Sequence, residues 1–220
     1  MTGTKTGWEA QRWYMVENQL KRRGIHDARV LEAMGSIPRE IFVPESEREW
    51  AYVDEPVSIG YGQTISQPYM TALMAQLLKL TGDETVLEVG TGCGYHAAVL
   101  ASLAREVISV EIVRELAEQA RRNLEEAGFA GKVRVITGDG SLGYSPLAPY
   151  DAISVAAAAP DVPEALLEQL KDGGRMVIPV GELDEQELLV VTKSKGKSSS
   201  KTAARCRFVP LRGGQGWKLA

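Results

Sequence analysis

The sequence has few of the residues that would hold a disulfide framework or a metal ion. Among its 220 residues are two cysteines, Cys93 and Cys206, and two histidines, His26 and His96. The cysteines lie far apart, and neither belongs to a pattern with the spacing of zinc ligands. We therefore expect no disulfide scaffold and no metal site.

Long apolar runs and an excess of positive charge are also missing. No apolar stretch approaches the ~20 residues of a membrane-spanning helix, and the first eight residues lack the apolar core of a signal peptide. The formal net charge is −4, whereas binding to a phosphate backbone generally needs clustered Lys and Arg. We expect a cytoplasmic monomer with neither a membrane nor a nucleic acid as its partner.

The chain has an ordinary globular composition, 44% hydrophobic and 25% charged. Its length suits one domain, which buries about 70% of the surface that the unfolded chain exposes. We predict a single domain over residues 1–220 with three parts. These are a helical and loop segment at 1–80, a cofactor-binding core at 81–181, and an edge hairpin with a tail at 182–220.

The first part shows helical periodicity, which predicts helices at 8–23, 27–34 and 69–80, with Gly35 closing the second. Residues 37–67 contain several Pro and Gly residues and are expected to be mostly loop. From residue 84 onward, strands and helices alternate. This alternation predicts an α/β fold with a doubly wound, mostly parallel sheet. We expect strands at 84–89, 106–111, 132–137, 150–156 and 174–180, and helices at 94–104, 113–127 and 162–171.

The last part changes character. Residues 187–193 and 205–209 predict two antiparallel strands at the edge of the sheet. The segment that joins them, Ser194–Lys201, is basic and rich in serine. We expect it to be a solvated loop.

A glycine-rich turn follows the first strand of the alternating region. The apolar run Thr85–Val89 ends in Gly90-Thr-Gly-Cys-Gly94 and gives way to a helical pattern. A strand, a glycine turn and a helix start let a nucleotide-like ligand lie close to the backbone. A G-x-G-x-x-G dinucleotide signature would need glycine at position 95, where Tyr95 stands. The turn therefore indicates a site for S-adenosylmethionine (AdoMet), and a methyltransferase rather than a dehydrogenase. Its candidate cofactor-binding residues are Gly90, Thr91 and Gly92.

Carboxylates follow the next two strands. Glu111 ends the second apolar run, where a carboxylate can hold ribose hydroxyls. Asp139 follows the third strand and can accept a hydrogen bond from the exocyclic amine of adenine, while Gly140 lets a ring approach the backbone. Because carboxyl ends of parallel strands gather around one ligand, we expect these groups to bind one adenosine. Asp-Gly is also a common sequence in ordinary turns, which is the alternative interpretation of this pair.

The segment Gly60–Met70 combines turn glycines with the small hydroxyls of Thr64 and Ser66. Ser66 would suit the N-cap of the following helix. A Ser-His-Asp triad is hard to build because no histidine lies nearby in sequence, although His96 could reach Ser66 in the fold.

Several segments together resemble the protein-L-isoaspartate (D-aspartate) O-methyltransferase family. The resemblance runs from about Met15 to Leu211, in the family's order. The AdoMet motifs are shared with many methyltransferases, whereas Thr64-Ile-Ser-Gln-Pro68 singles out this family. The matching segments are Gly62–Met70, Val86–Tyr95, Gly138–Gly140, Pro149–Ile153, Gln169–Gly181 and Phe208–Leu211.

The resemblance implies an AdoMet-dependent enzyme that methylates the α-carboxylate of L-isoaspartyl residues, and of D-aspartyl residues where these are accepted. Its partners would be damaged proteins and peptides. Ser66 matches the serine that the family treats as its active-site residue, for which an orienting role is expected, and Thr64 and Ile65 would line the same wall. Thr71 matches a position that contacts the cofactor in some relatives.

Three alternatives remain open at this point. A small-molecule methyltransferase on the same fold would keep the glycine turn, Glu111 and Asp139, but would leave Gln63–Pro68 unexplained. A non-catalytic AdoMet-binding or protein-interaction module would bind cofactor without turnover of any isoaspartyl peptide. A dehydrogenase is disfavoured by Tyr95.

Cys93 stands where relatives often carry serine. It is either a packing residue or an oxidation-sensitive thiol.

Overall fold

The structure, a computed structural model, describes residues 7–218. Six of the first eight residues, which were expected to lack a signal peptide, therefore lie outside the described residues. Within residues 7–218, no helix is both long enough and apolar enough to cross a membrane.

A seven-stranded sheet forms the centre of the molecule, and a separate two-stranded sheet, β1 and β2, precedes it. The strands are β1 Val57–Gly60, β2 Gln63–Ile65, β3 Thr85–Val89, β4 Glu106–Glu111, β5 Val133–Thr137, β6 Tyr150–Val155, β7 Leu170–Gly181, β8 Gln186–Ser194 and β9 Lys197–Cys206. The central order is β5-β4-β3-β6-β7-β8-β9. Neighbours from β5 to β7 run parallel, and β8 and β9 are antiparallel additions at one edge.

Helices flank this sheet and fill the N-terminal part. They are α1 Gly7–Tyr14, α2 Ala28–Ser36, α3 Pro68–Leu78, α4 Tyr95–Leu103, α5 Arg114–Glu126 and α6 Glu164–Gln169. A π-helical segment, Met15–Leu20, and a short 3-10 turn, Lys21–Arg23, continue α1. The helix predicted at 8–23 is thus present as three successive helical forms.

Two apolar cores, one on each face of the sheet, show why the strands are so rich in Val, Ile and Leu. Successive residues of β3 alternate between the faces, with Val86 in the core beneath the N-terminal helices and Leu87 in the core beneath α6. Every residue of β4 from Val107 onward is buried. This two-sided burial confirms the predicted doubly wound sheet.

The order of the strands positions the ligand site. The chain passes from β3 to β4 and β5 on one side, and then crosses back to place β6 on the other side of β3. Loops after β3 and β6 therefore leave the sheet in opposite directions and open a crevice between them. Ligands of doubly wound folds bind in such a crevice, at the carboxyl ends of the strands.

The edge hairpin differs from its prediction. Ser194 pairs with Lys197, so the turn consists only of Lys195 and Gly196, and residues 197–201 belong to β9. Both turn residues have positive φ, 52° and 74°, as tight hairpin turns require. The predicted antiparallel edge hairpin is therefore confirmed, whereas the solvated loop predicted at 194–201 is wrong. The strand predicted at 205–209 is wrong beyond Cys206, where β9 ends.

Smaller differences concern element ends. Asp27 caps α2 by accepting hydrogen bonds from the N–H groups of Arg29 and Val30, and the helix continues through Gly35 to Ser36. The helix predicted at 162–171 ends at Gln169, because Leu170 already pairs with Tyr150 in the sheet. The predicted loop at 37–67 contains two short 3-10 helices besides β1 and β2.

Candidate active site

A cavity opens at the carboxyl ends of β3, β4 and β6. It encloses about 810 Å³ of empty space, counting its mouth, within the range of small-ligand sites. Its lining comes from many parts of the chain. These are residues 63–66, Thr71 on α3, the glycine turn with the start of α4, the end of β4, Gly140 after β5, Ala156 and Ala157 after β6, and Val209–Arg212. We call it the inner cavity.

The glycine turn forms the floor of the inner cavity. Gly92 has a φ of 53°, and a Cβ there would lie 3.2 Å from the Ile59 side chain. Gly94 has a φ of 93°, and a Cβ there would lie 3.1 Å from Leu124. Glycine thus gives the turn its left-handed conformation and lets it pack closely against its neighbours. A ligand can approach its backbone from the open side.

Glu111 stands at the edge of this floor, with 5% of its surface exposed. Its Oε2 accepts a hydrogen bond from Gly92 N at 2.8 Å, and its Oε1 accepts one from Val113 N at 2.9 Å. Each oxygen keeps lone-pair capacity for a ligand hydroxyl. The backbone therefore fixes the orientation of this carboxylate before any ligand arrives.

A buried polar cluster lies beneath the turn. Ser109 donates a hydrogen bond to Glu88, and the hydroxyls of Thr91 and Ser109 are 2.5 Å apart. Glu88 is fully buried, and its Oε1 has no hydrogen-bond partner. Burial raises the pKa of Glu88 to about 8, with the charge of Glu111 adding to this effect and the hydrogen bond from Ser109 opposing it. Glu88 therefore retains its proton at pH values well above those at which a glutamate usually ionises.

His96 lines the inner cavity but does not act on Ser66. Its Nε2 lies 2.9 Å from Ser154 Oγ, and burial of the ring lowers its pKa to about 4. His26 is instead bonded to the carbonyl of Gly24. Neither histidine hydrogen-bonds Ser66 within the described residues, so a Ser-His-Asp triad is not assembled.

Arg39 holds the segment that carries Ser66. This arginine is fully buried, and its guanidinium donates to Ser66 O at 2.8 Å and to Ala51 O at 2.6 Å. The same group lies 4.7 Å from the centre of the Tyr95 ring, next to the glycine turn. Arg39 therefore joins the Ser66 segment to the cofactor floor through one rigid group.

Ser66 itself leaves its hydroxyl available. The N-cap of α3 is Gln67, without a side-chain capping bond, so the N-cap role predicted for Ser66 is wrong. The hydroxyls of Thr64 and Ser66 have no hydrogen-bond partner among the described residues, and both line the inner cavity.

Asp139 is the one predicted site residue that does not line the inner cavity. Its Oδ1 accepts from the N–H and the hydroxyl of Ser141, and its Oδ2 accepts from Gly214 N at 2.7 Å. The neighbouring Gly140 does line the cavity. The contact of Asp139 with adenine stays a prediction, since the tail at Gly214 already engages this carboxylate.

The other predicted site residues meet around the inner cavity, and their individual roles stay predictions. They are Thr64, Ile65, Ser66, Thr71, Gly90, Thr91, Gly92, Glu111 and Gly140. Sequence reasoning missed Arg39, for which no motif gave a signal. Val209–Leu211 belong to the matching segment Phe208–Leu211, which could have indicated a wall of the site.

Cys93 has the environment of a packing residue. Its side chain is buried, and burial raises the pKa of its thiol to about 11. A thiolate is the reactive form of cysteine, so this environment disfavours the oxidation-sensitive alternative. Among residues 7–218 no cluster of His, Cys, Asp and Glu is arranged to hold a metal ion.

The fold and the site define a class of protein. The sheet is mostly parallel, a glycine turn without large side chains follows β3, and the carboxylate at the end of β4 is held in a fixed orientation. These features fit the methionine and ribose portions of AdoMet. The chain is a Rossmann-like, AdoMet-dependent methyltransferase.

Comparisons with known proteins give the particular family. The model of the protein-L-isoaspartate(D-aspartate) O-methyltransferase (PCMT) family matches residues 11–216. The chain therefore belongs to this family. A curated relative, protein-L-isoaspartate O-methyltransferase 2 of Marinobacter nauticus, is 57% identical over 92% of this chain and 93% of its own length.

Two solved structures extend this similarity to the fold. A protein-L-isoaspartate O-methyltransferase matches with a TM-score of 0.81 at 32% identity, over 94% of this chain and 66% of that chain. A Plasmodium falciparum β-aspartate methyltransferase (PCMT), in complex with S-adenosyl-L-homocysteine, has a TM-score of 0.80 at 27% identity. The match covers 94% of this chain and 99% of the Plasmodium chain.

Proposed function

We propose that this chain transfers a methyl group from AdoMet to the α-carboxylate of L-isoaspartyl residues in damaged proteins and peptides. The observation that carries the proposal is the placement of Thr64–Ser66 against the glycine turn, around one cavity, in a member of this family. D-aspartyl residues are included as a second substrate. The methyl ester re-forms a succinimide readily, and repeated cycles then restore normal aspartyl linkages.

The reaction makes modest chemical demands on the protein. A carboxylate with an ordinary pKa near 4 is ionised at pH 7, so no general base is needed. AdoMet supplies an electrophilic methyl carbon on its sulfonium; a bond forms to the carboxylate oxygen as the bond to sulfur breaks. The protein must align these atoms and exclude water, which suits a site with a neutral His96 and a protonated Cys93.

Within this proposal, Ser66 orients the substrate. Its hydroxyl has no partner among the described residues, and its backbone is held by Arg39 at 2.8 Å. A hydroxyl in this position can donate a hydrogen bond to the oxygen of the carboxylate that does not react. Thr64 and Ile65 form the wall beside it.

The cofactor roles follow the floor of the inner cavity. Gly90, Thr91 and Gly92 hold the methionine portion, with Thr71 beside them, and Glu111 accepts hydrogen bonds from the ribose hydroxyls. Gly140 lies against the adenine. Asp139 would reach the exocyclic amine of adenine if the tail at Gly214 shifts away from its Oδ2.

We also propose that the enzyme acts as a monomer in the cytoplasm, without a nucleic acid or a membrane as its partner. The support for a peptide partner is the family.

The test uses methyl-labelled AdoMet and two peptides that differ only in one Asp linkage, normal or isoaspartyl. Base-labile label on the isoaspartyl peptide alone is the expected result. A third peptide with D-aspartate tests the second substrate. Cofactor binding without label on any peptide would overturn the proposed substrate and favour a small-molecule methyltransferase.

A further inference from the structure

A second, smaller cavity adjoins the inner cavity. It encloses about 340 Å³ of empty space, counting its mouth, and shares four lining residues with the inner cavity. The shared residues are Thr64, Ser66, Ala156 and Val209. We call it the outer cavity. A group held there lies next to the hydroxyl of Ser66.

Arg207 is the only charged residue among the nine that line the outer cavity. It is exposed, and its guanidinium makes no hydrogen bond or ion pair with any described residue. Arg205, two residues earlier, is instead paired with Glu185 at 3.1 Å and lines neither cavity. One of these two arginines is thus available to a ligand, and the other is engaged on the surface.

The chemistry around Arg207 suits a carboxylate ligand. The outer cavity contains no acidic side chain to neutralise the guanidinium, and the free hydroxyls of Thr64 and Ser66 can donate hydrogen bonds. A guanidinium with hydroxyl donors beside it binds carboxylates through charge-assisted hydrogen bonds. A neutral ester keeps weak acceptor oxygens but loses the charge that strengthens these bonds.

We propose that Arg207 determines substrate specificity by binding the α-carboxylate of the isoaspartyl residue, and that it releases the neutral methyl ester. The inference rests on the proposed function. Methyl transfer changes the charge of this carboxyl group from −1 to 0 while leaving the rest of the peptide unchanged. Arg207 therefore favours binding of the substrate peptide before the methyl transfer and dissociation of the methylated peptide after it.

The test compares binding of two labelled peptides, an isoaspartyl peptide and its α-carboxamide, a stable neutral analogue. Dissociation constants are measured by fluorescence anisotropy with S-adenosyl-L-homocysteine present. The unmodified enzyme should bind the carboxylate about tenfold more tightly than the carboxamide, the scale of one charge-assisted hydrogen bond. Arg207→Gln should lose most of this preference and keep only the part that the hydroxyls of Thr64 and Ser66 provide, and Arg207→Lys should keep a larger part of it.

The matched control is Arg205→Gln, which removes the same charge from the same strand region and should keep the full preference. In turnover assays, Arg207→Gln should raise KM about tenfold and change kcat less than about twofold. An unchanged preference in Arg207→Gln, or equal weakening of both peptides, would overturn the inference. Failure of the unmodified enzyme to methylate the isoaspartyl peptide would instead overturn the proposed function.

Discussion

Replacing Glu88 with glutamine should stabilise the protein at pH 8 and change its stability little at pH 5. The Glu88 side chain is fully buried, and its Oε1 has no hydrogen-bond partner. Ionising the carboxyl group would therefore leave a buried negative charge away from bulk water, with only one hydrogen-bonded oxygen and no ion pair with a described residue. Glutamine has nearly the same shape, keeps an oxygen that can accept from Ser109, and cannot ionise.

The magnitude follows from the difference between the folded and unfolded pKa values. The pKa of Glu88 rises from an ordinary 4.5 to about 8 in the folded protein, so between these values the folded state holds a proton that the unfolded state releases. Stability must then fall as the pH rises through this window. At about 1.4 kcal/mol per pKa unit, roughly 3 kcal/mol of this penalty develops between pH 5 and pH 8.

Urea unfolding without cofactor at pH 5, 6, 7 and 8 measures this effect. The difference in the free energy of unfolding between Glu88→Gln and the unmodified protein should grow toward pH 8, to about 3 kcal/mol. Glu126→Gln, at an exposed position on α5, is the control and should show no such trend. A difference that is constant across the pH range would refute the reasoning, because it would reflect packing rather than ionisation.

Three further substitutions test the site. Ser66→Ala should lower kcat about tenfold, the scale of one hydrogen bond, while cofactor affinity in calorimetry stays near normal; equal loss of both would refute the orienting role. Glu111→Ala should weaken S-adenosyl-L-homocysteine binding by about 1–3 kcal/mol; an unchanged affinity would place the ribose elsewhere. Gly213→Ala should lower the free energy of unfolding by about 1–3 kcal/mol, because φ is 135° and the new Cβ would clash with Asp139; urea unfolding equal to that of the unmodified protein would contradict this.

Each of these substitutions has a control in the same chain. Ser58→Ala removes an exposed hydroxyl from β1 and should leave kcat unchanged. Glu115→Ala removes an exposed carboxylate from the first turn of α5 and should leave cofactor affinity unchanged. Gly214→Ala adds a Cβ whose nearest neighbour lies at 3.5 Å, and it should unfold at nearly the same urea concentration as the unmodified protein.

The sequence predicted the parallel core well because local pattern and tertiary environment agree there. The ends of β3 and β4 lie within a residue of their predicted positions, since both strands are short apolar runs bounded by turn residues. The glycine turn and Glu111 carried enough chemistry to indicate AdoMet, and the comparisons confirm the family, the enzyme class and the cofactor. The organisation as one domain stays a prediction.

The errors arose where distant contacts override local composition. Residues 197–201 are polar enough to be interpreted as loop, but backbone pairing with β8 makes them an edge strand, where exposed lysines are common. The carboxylate of Asp139 is engaged by Gly214, 75 residues away. Arg39 reaches Ser66 across 27 residues. The hydrophobic periodicity of a short stretch of sequence carries no information about contacts between residues that are far apart in the chain.

The number of residues in the π-helical segment Met15–Leu20 determines the orientation of α1 about its axis. Each residue of a helix turns the chain by about 100°, and a π-helical turn accommodates an additional residue within an α-helix. Removing one residue here would therefore rotate α1 by about that angle and carry Arg12 away from Tyr52, whose hydroxyl it contacts at 3.0 Å. Tyr52 also accepts a hydrogen bond from Arg39 N at 3.2 Å, and Arg39 holds the backbone of Ser66. A one-residue deletion in this segment would therefore disturb the position of Ser66 from a distance, without changing any residue that lines the inner cavity.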